Sequence, residues 1–122
     1  MPSTFFTLGA LSAGLAVAAG AFAAHGLRAR LPPDLLAVFE TGARYQMYHA
    51  LGLLAVAWAT ERWPGRAAPV AGWLFVTGTA LFSGSLYLLA LGGPSMLGAV
   101  TPFGGLCFLA GWAVLAWSAL RG

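Results

Sequence analysis

Apolar residues run without a charge from Phe5 to Ala24, twenty positions, before His25 and Gly26 interrupt them. As a helix that run is about 30 Å long, which matches the hydrocarbon thickness of a bilayer. A polar joint follows from Leu27 to Asp34, with Arg28, Arg30 and the pair Pro32-Pro33. Proline is tolerated in the first turn of a helix, and Asp34 just after it suits the positive end of the helix dipole. The pattern predicts a second helix from about Pro33 to Thr60, longer than a bilayer needs, with its first two turns in the interface. Glu61 to Arg66 reads as a loop, carrying charges, an interfacial Trp63 and a Pro64-Gly65 turn. Val70 to Leu91 is again uncharged, and Gly92-Gly93-Pro94-Ser95 breaks it.

The last apolar stretch has two readings. Met96 to Leu120 is one helix kinked at Pro102, whose missing N–H leaves the Gly98 carbonyl unpaired. Alternatively Thr101 caps a helix with Pro102 in its first turn, and Ser95 to Val100 forms a separate turn at membrane depth. The capped reading is preferred. The spans are then about 5–24, 35–60, 70–91 and 97–120 in a single domain over residues 1–122. The fold class is all-α, an integral membrane bundle of four transmembrane helices.

Composition agrees with this picture. The chain is 60% hydrophobic and only 7% charged, against about 25% charged in a soluble domain. So few charges leave too little polar surface to cover a water-soluble body. The net charge is +3, but all six basic residues are arginines scattered in ones and twos. Without a basic run or interleaved aromatics, nucleic acid is not an expected partner. The expected partners are membrane lipids and, as a homo-oligomer, further copies of the chain. Arg62, Arg66 and Arg121 outnumber Arg28 and Arg30, which favours both termini in the cytoplasm; counting Arg44 evens the balance. The expected location is the bacterial cytoplasmic (inner) membrane, crossed several times. Ala21-Phe22-Ala23 resembles a signal-cleavage site, yet Met1 to Thr4 has no basic side chain, so the first span is expected to be retained.

Lipid gives helices no hydrophobic reason to associate, so packing falls to small residues. Gly9 and Ala13, Ala10 and Gly14, and Ala16 and Gly20 lie four apart in the first span. Gly78 and Ser85, Ala80 and Gly84 serve the third, and Gly104-Gly105 with Gly111 the fourth.

The candidate chemistry sits mainly in the second span, with Glu40, Arg44, Tyr45, Gln46, Tyr48 and His49. Ionisable groups at membrane depth are costly unless paired. Glu40 and Arg44 are spaced to pair on one helix face, either within the bundle or as an interfacial anchor. His49 is followed by eleven mainly apolar residues and is expected to face other helices. Its readings are a neutral imidazole bonded between helices, a proton-handling or ligand-contacting group, or a haem or metal ligand together with His25. Thr79, Ser83 and Tyr87 recur at i, i+4 and i+8 as a polar stripe, bonded either to their own helix or across the bundle. Cys107 is alone in an apolar run and reads as a small buried hydrophobe. No metal-ligand spacing, nucleophile–base pair, carboxylate pair or phosphate-cradling loop is present, so no catalytic residue, metal or cofactor is assigned.

Several blocks carry a resemblance: Gly20-Ala21-Phe22-Ala23-Ala24-His25, Thr41-Gly42, Tyr45-Gln46-Met47-Tyr48-His49-Ala50, Phe82-Ser83-Gly84-Ser85-Leu86-Tyr87, and Thr101-Pro102-Phe103-Gly104-Gly105 with Gly111-Trp112. In this order, over nearly the whole chain, they resemble the small membrane proteins grouped as domain of unknown function 423. The resemblance implies a four-span protein of unestablished activity. It places the family pattern on His25, Tyr45, Gln46, His49, Ser83, Ser85, Tyr87 and Thr101, our candidates for ligand or proton handling. Ala23 stands where the family commonly has Gly, and Glu40 and Arg44 stand where relatives carry other residues. The leading reading is a non-enzymatic membrane module or assembly subunit. The alternative is a small transporter or proton-conducting unit with a polar intramembrane site.

Overall fold

The uncharged runs and the prolines between them set the helices. In the computed structural model, which describes residues 2–122, α1 covers Pro2–Phe22 and continues as a wide π-helical turn, Ala23–Leu27. The expected stop at His25-Gly26 is therefore passed. Leu27 is buried with Ala23, Phe39 and Ala90, and this burial carries the helix through Gly26. The chain then turns, with the N–H groups of Arg30 and Leu31 both donating to the Leu27 carbonyl.

Helix α2 is Pro33–Arg62, 30 residues with proline in its first turn and Asp34 at its positive end; it is about 45 Å long. It closes on Trp63, whose N–H donates to the Ala59 carbonyl. Helix α3, Ala67–Ala90, is interrupted by a π-turn at Thr79–Ser83 in which the Gly84 N–H reaches back to the Thr79 carbonyl. It begins before Val70 because Pro69, in the first turn, needs no backbone donor there. Its end is closed by Gly92 at φ +101 and by a 2.7 Å bond from the Gly93 N–H to the Leu88 carbonyl. A short 3₁₀ turn, Ser95–Ala99, precedes α4, Thr101–Arg121.

Of the two readings of the last span, the separate turn is the one the chain adopts. Thr101 nevertheless does not cap α4: no side-chain cap bond forms there. Its hydroxyl lies 2.5 Å from that of Ser85 and, at 3.4 Å, from the Leu97 carbonyl. Pro102 in the first turn removes a donor that a cap would otherwise have to satisfy.

Three helical stretches are long and apolar enough to cross a membrane: Ser3–Leu27, Ala67–Ala90 and Ser95–Arg121. Helix α2 is longer still but carries Asp34, Glu40, Arg44, Glu61 and Arg62. The described residues contain no strand, and the fold is an all-α membrane bundle of four helices.

Helix α1 lies along α2, α4 lies along α3, and the α2–α3 contact joins the two pairs. Close approach depends on missing side chains. A Cβ on Gly9 would come within 2.8 Å of the Ala50 carbonyl oxygen, and one on Gly104 would collide with the backbone of Phe82. Not every small pair serves this purpose. Ala10 and Ala80 are exposed, and nothing lies within 4 Å of a Cβ built on Gly14 or Gly84, so these stripes face outward. Two apolar clusters result. One gathers Phe5, Leu53, Val56, Phe75 and Phe108, the other Ala23, Leu27, Phe39 and Ala90. The polar side chains lie between them.

Candidate functional site

Gln46 is the hub of the polar layer. It projects from the middle of α2 and is only 7% exposed. Its amide nitrogen donates to the Ser12 carbonyl at 3.0 Å and reaches the Ser12 hydroxyl at 3.3 Å. Its amide oxygen accepts from the Tyr87 hydroxyl at 2.6 Å. One side chain thus ties α1, α2 and α3 together. Beside it the Ser83 hydroxyl donates to the Gly42 carbonyl at 2.7 Å. Gly42 makes room for this contact, since a Cβ there would stand 3.0 Å from the Tyr87 ring. Each such bond across helices contributes about 0.6 kcal/mol in a membrane, up to roughly 1.7. Breaking one costs more when it leaves a polar group alone in hydrocarbon.

The Ser85–Thr101 pair does the same for α3 and α4. The Ser85 hydroxyl donates to the Phe82 carbonyl at 2.9 Å. The Ser85 and Thr101 hydroxyls lie 2.5 Å apart, and either can donate to the other.

His49 sits three residues beyond Gln46 and is 4% exposed. Its Nδ1 is 2.7 Å from the Tyr45 carbonyl, and its Nε2 is 2.9 Å from the Trp112 indole nitrogen. A carbonyl only accepts and an indole N–H only donates. The ring is therefore neutral, with its hydrogen on Nδ1 and its lone pair on Nε2 facing Trp112. The imidazole also stacks on Phe108, with ring centroids 3.5 Å apart and planes 3° from parallel. Both nitrogens and one ring face are thus occupied by the protein.

The α2–α4 seam is otherwise open. A groove of about 770 Å³ runs along it, bordered by Tyr45, Tyr48, His49, Phe108, Leu109 and Trp112. Tyr48 and Leu109 expose half or more of their surface, so the groove opens toward lipid. Tyr45 and Tyr48 pack edge to face, with centroids 5.3 Å apart. Neither hydroxyl has a hydrogen-bond partner among the described residues.

The remaining candidates lie elsewhere. His25 is exposed on the π-turn that ends α1. That turn packs at the level of Phe39, ten residues and about 15 Å along α2 from His49, so the two histidines do not converge on one ligand. Among the described residues no three His, Cys, Asp or Glu side chains gather at metal-binding distance. Arg44 turns to the Thr41 hydroxyl at 3.3 Å rather than to Glu40, and the two line a shallow crevice with Ala16 and Gly20. Thr79 leaves the expected stripe. The π-turn spends more residues per revolution, so Thr79 faces a crevice with Leu8, Ser12 and Leu53, while Ser83 and Tyr87 face α2. Cys107 is partly buried and unpaired.

Ser12, Phe108 and Trp112 complete the layer, and no pattern in the sequence marks the three as candidates. Ser12 is one of two hydroxyls, with Thr7, in the apolar run from Phe5 to Ala24. Trp112 stands in the Gly111-Trp112 block that carries the resemblance.

Comparison with known proteins agrees with this architecture. The model of the family described as "Protein of unknown function (DUF423)" matches residues 19–105. The UPF0382 membrane protein YwdK of Bacillus subtilis is 47% identical over 118 residues, 96% of each chain. A UPF0382 membrane protein of Staphylococcus epidermidis is 45% identical over 117 residues, covering 96% of this chain and 95% of its own. One from Haemophilus influenzae is 41% identical over 121 residues, covering 99% and 97%. No solved structure matches. The chain belongs to the DUF423 family, a family of membrane proteins whose activity is not established.

Proposed function

We propose that this DUF423 protein is a non-enzymatic, multi-pass module of the bacterial cytoplasmic membrane, a structural or assembly subunit whose polar residues lock its helices to one another. One observation carries the reading: among the described residues, no buried side-chain nitrogen or oxygen lacks a hydrogen-bond partner. Catalysis calls for a nucleophile or base held within reach of substrate. Here the hydroxyls, the amide and the imidazole of the interior are engaged with other helices or with their own backbone. With Arg44 left out of the count, Arg62, Arg66 and Arg121 against Arg28 and Arg30 favour both termini in the cytoplasm. No observation favours the transport alternative, since the groove beside His49 is bordered by aromatic and aliphatic side chains and opens sideways to lipid.

The test is His49→Ala, purified in mild detergent. We expect it to melt at clearly lower temperature or to lose its bundle, because the Phe108 stack and the Trp112 bond both go. A variant of unchanged stability that abolishes a cellular phenotype would overturn the proposal and return His49 to chemistry.

A further inference from the structure

At the end of the bundle that holds Trp63, the start of α3 and the last turn of α4 enclose a crevice of about 490 Å³, lined by Gly65, Arg66, Val70, Val114, Trp117 and Arg121. Its two halves differ in chemistry. At the rim are two guanidiniums from distant parts of the sequence. Arg121 reaches over Gly65, so closely that a side chain there would collide with it; Gly65 is also held at φ +139. Further in, toward the hydrocarbon, are Val70 and Val114 on the successive turns of their helices, with the exposed indole of Trp117 beside them.

The rim is positive. Neither Arg66 nor Arg121 meets an acidic side chain among the described residues. Glu61, the nearest acid in the sequence, lines a different crevice with Ser3, Phe6 and Trp58. Arg66 is also the N-cap residue of α3, where no side chain caps the helix and the first turn carries no acid. Free N–H groups and the positive end of the dipole therefore add to the two guanidiniums. The carbonyl end of α4 takes up part of the Arg121 charge, which leaves the rim positive on balance.

A positive rim above an apolar floor fits an anion that has a hydrocarbon tail. We propose that this crevice binds an anionic phospholipid, its phosphate held between Arg66 and Arg121 and an acyl chain laid along Val70, Val114 and Trp117. Arginine suits this role because its planar fork bonds two phosphate oxygens at once, and tryptophan favours the headgroup level. Free phosphate would use the rim and leave the floor empty. A zwitterionic lipid would use the floor and bring a positive headgroup to a positive rim.

The experiment is a thermal melt of the full chain in neutral detergent, titrated with phosphatidylglycerol, with phosphatidylcholine of the same acyl chains, or with inorganic phosphate. Phosphatidylglycerol should raise the melting temperature and the other two should not. Arg66→Gln/Arg121→Gln should weaken the phosphatidylglycerol effect by about thirtyfold in apparent affinity. Arg28→Gln/Arg30→Gln, which removes equal charge from the opposite end, should leave it unchanged. Val114→Trp keeps every charge but fills the floor, and should weaken the lipid effect even if the double arginine variant fails to fold. Equal stabilisation by phosphatidylcholine or by inorganic phosphate would overturn the proposal. So would an equal loss in the Arg28/Arg30 variant, or no loss in Val114→Trp.

Discussion

Helix α2 meets α3 along one seam and α4 along another, and the two are built differently. Against α3 it offers Gly42 and Gln46, and the seam closes through direct bonds from Ser83 and Tyr87. Against α4 it offers Tyr45, Tyr48 and His49, and a single side-chain bond, His49 to Trp112, crosses beside a groove of about 770 Å³. Both faces are rich in polar side chains when read along the sequence. What separates them is the size of the intervening residue. Gly42 lets α3 come close enough for short side chains to reach backbone, whereas the tyrosines hold α4 away. Polarity alone does not pull membrane helices together; it acts where small residues have already allowed approach.

The largest effect should come from wedging the closed seam. Gly42→Leu would drive a side chain into the Tyr87 ring and push Ser83 off its carbonyl. We expect a loss of about 3 kcal/mol, measured by denaturant titration in detergent micelles. A loss below a third of that would mean the seam yields as easily as the open one, and the contrast would collapse.

Next is Gln46→Leu, nearly the same in volume, which strands the Tyr87 hydroxyl between α2 and α3. A cost of about 2 kcal/mol is expected from the lost bonds and the unpaired hydroxyl. Adding Tyr87→Phe should recover part of it, because the stranded hydroxyl is then absent. Additive losses in the double variant would show that the two side chains do not form one unit.

The smallest effects should come from removing one polar group at a time from the open seam while His49 stays in place. Trp112→Phe removes the indole donor to His49 Nε2 and should cost about 0.6 kcal/mol. Tyr48→Phe, which deletes a hydroxyl without a partner, should change stability by less than about 0.5 kcal/mol. If Tyr48→Phe proved as damaging as Gln46→Leu, the groove would have an occupant that bonds the hydroxyl.

Much of this arrangement is legible in the sequence, for definite reasons. Uncharged runs bounded by Pro, Gly and Arg mark the helices because a bilayer admits few alternatives. Gln46, His49, Ser83, Ser85, Tyr87 and Thr101 stand out because each is polar inside such a run. Their partners are harder to read. Thr79 is displaced from Ser83 and Tyr87 by a π-turn, which a fixed helical period does not anticipate. Trp112 and His49 are far apart in the chain and share no pattern, so only the packing of α4 reveals the pair. Arg44 and Glu40 have the spacing of an ion pair, yet Thr41 is the nearer partner. Small residues mark where helices can pack but do not say which stripe faces inward. Gly9 packs on α2 and Gly14 faces outward with the same neighbours in composition.

The two bonds of His49 also bear on leakage. A membrane that stores a proton gradient is short-circuited by any polar side chain able to take a proton from one side and release it to the other. With its hydrogen pinned to its own helix and its lone pair covered by an indole, His49 has no open terminal at either nitrogen. It can be polar inside the bundle and still act as an insulator.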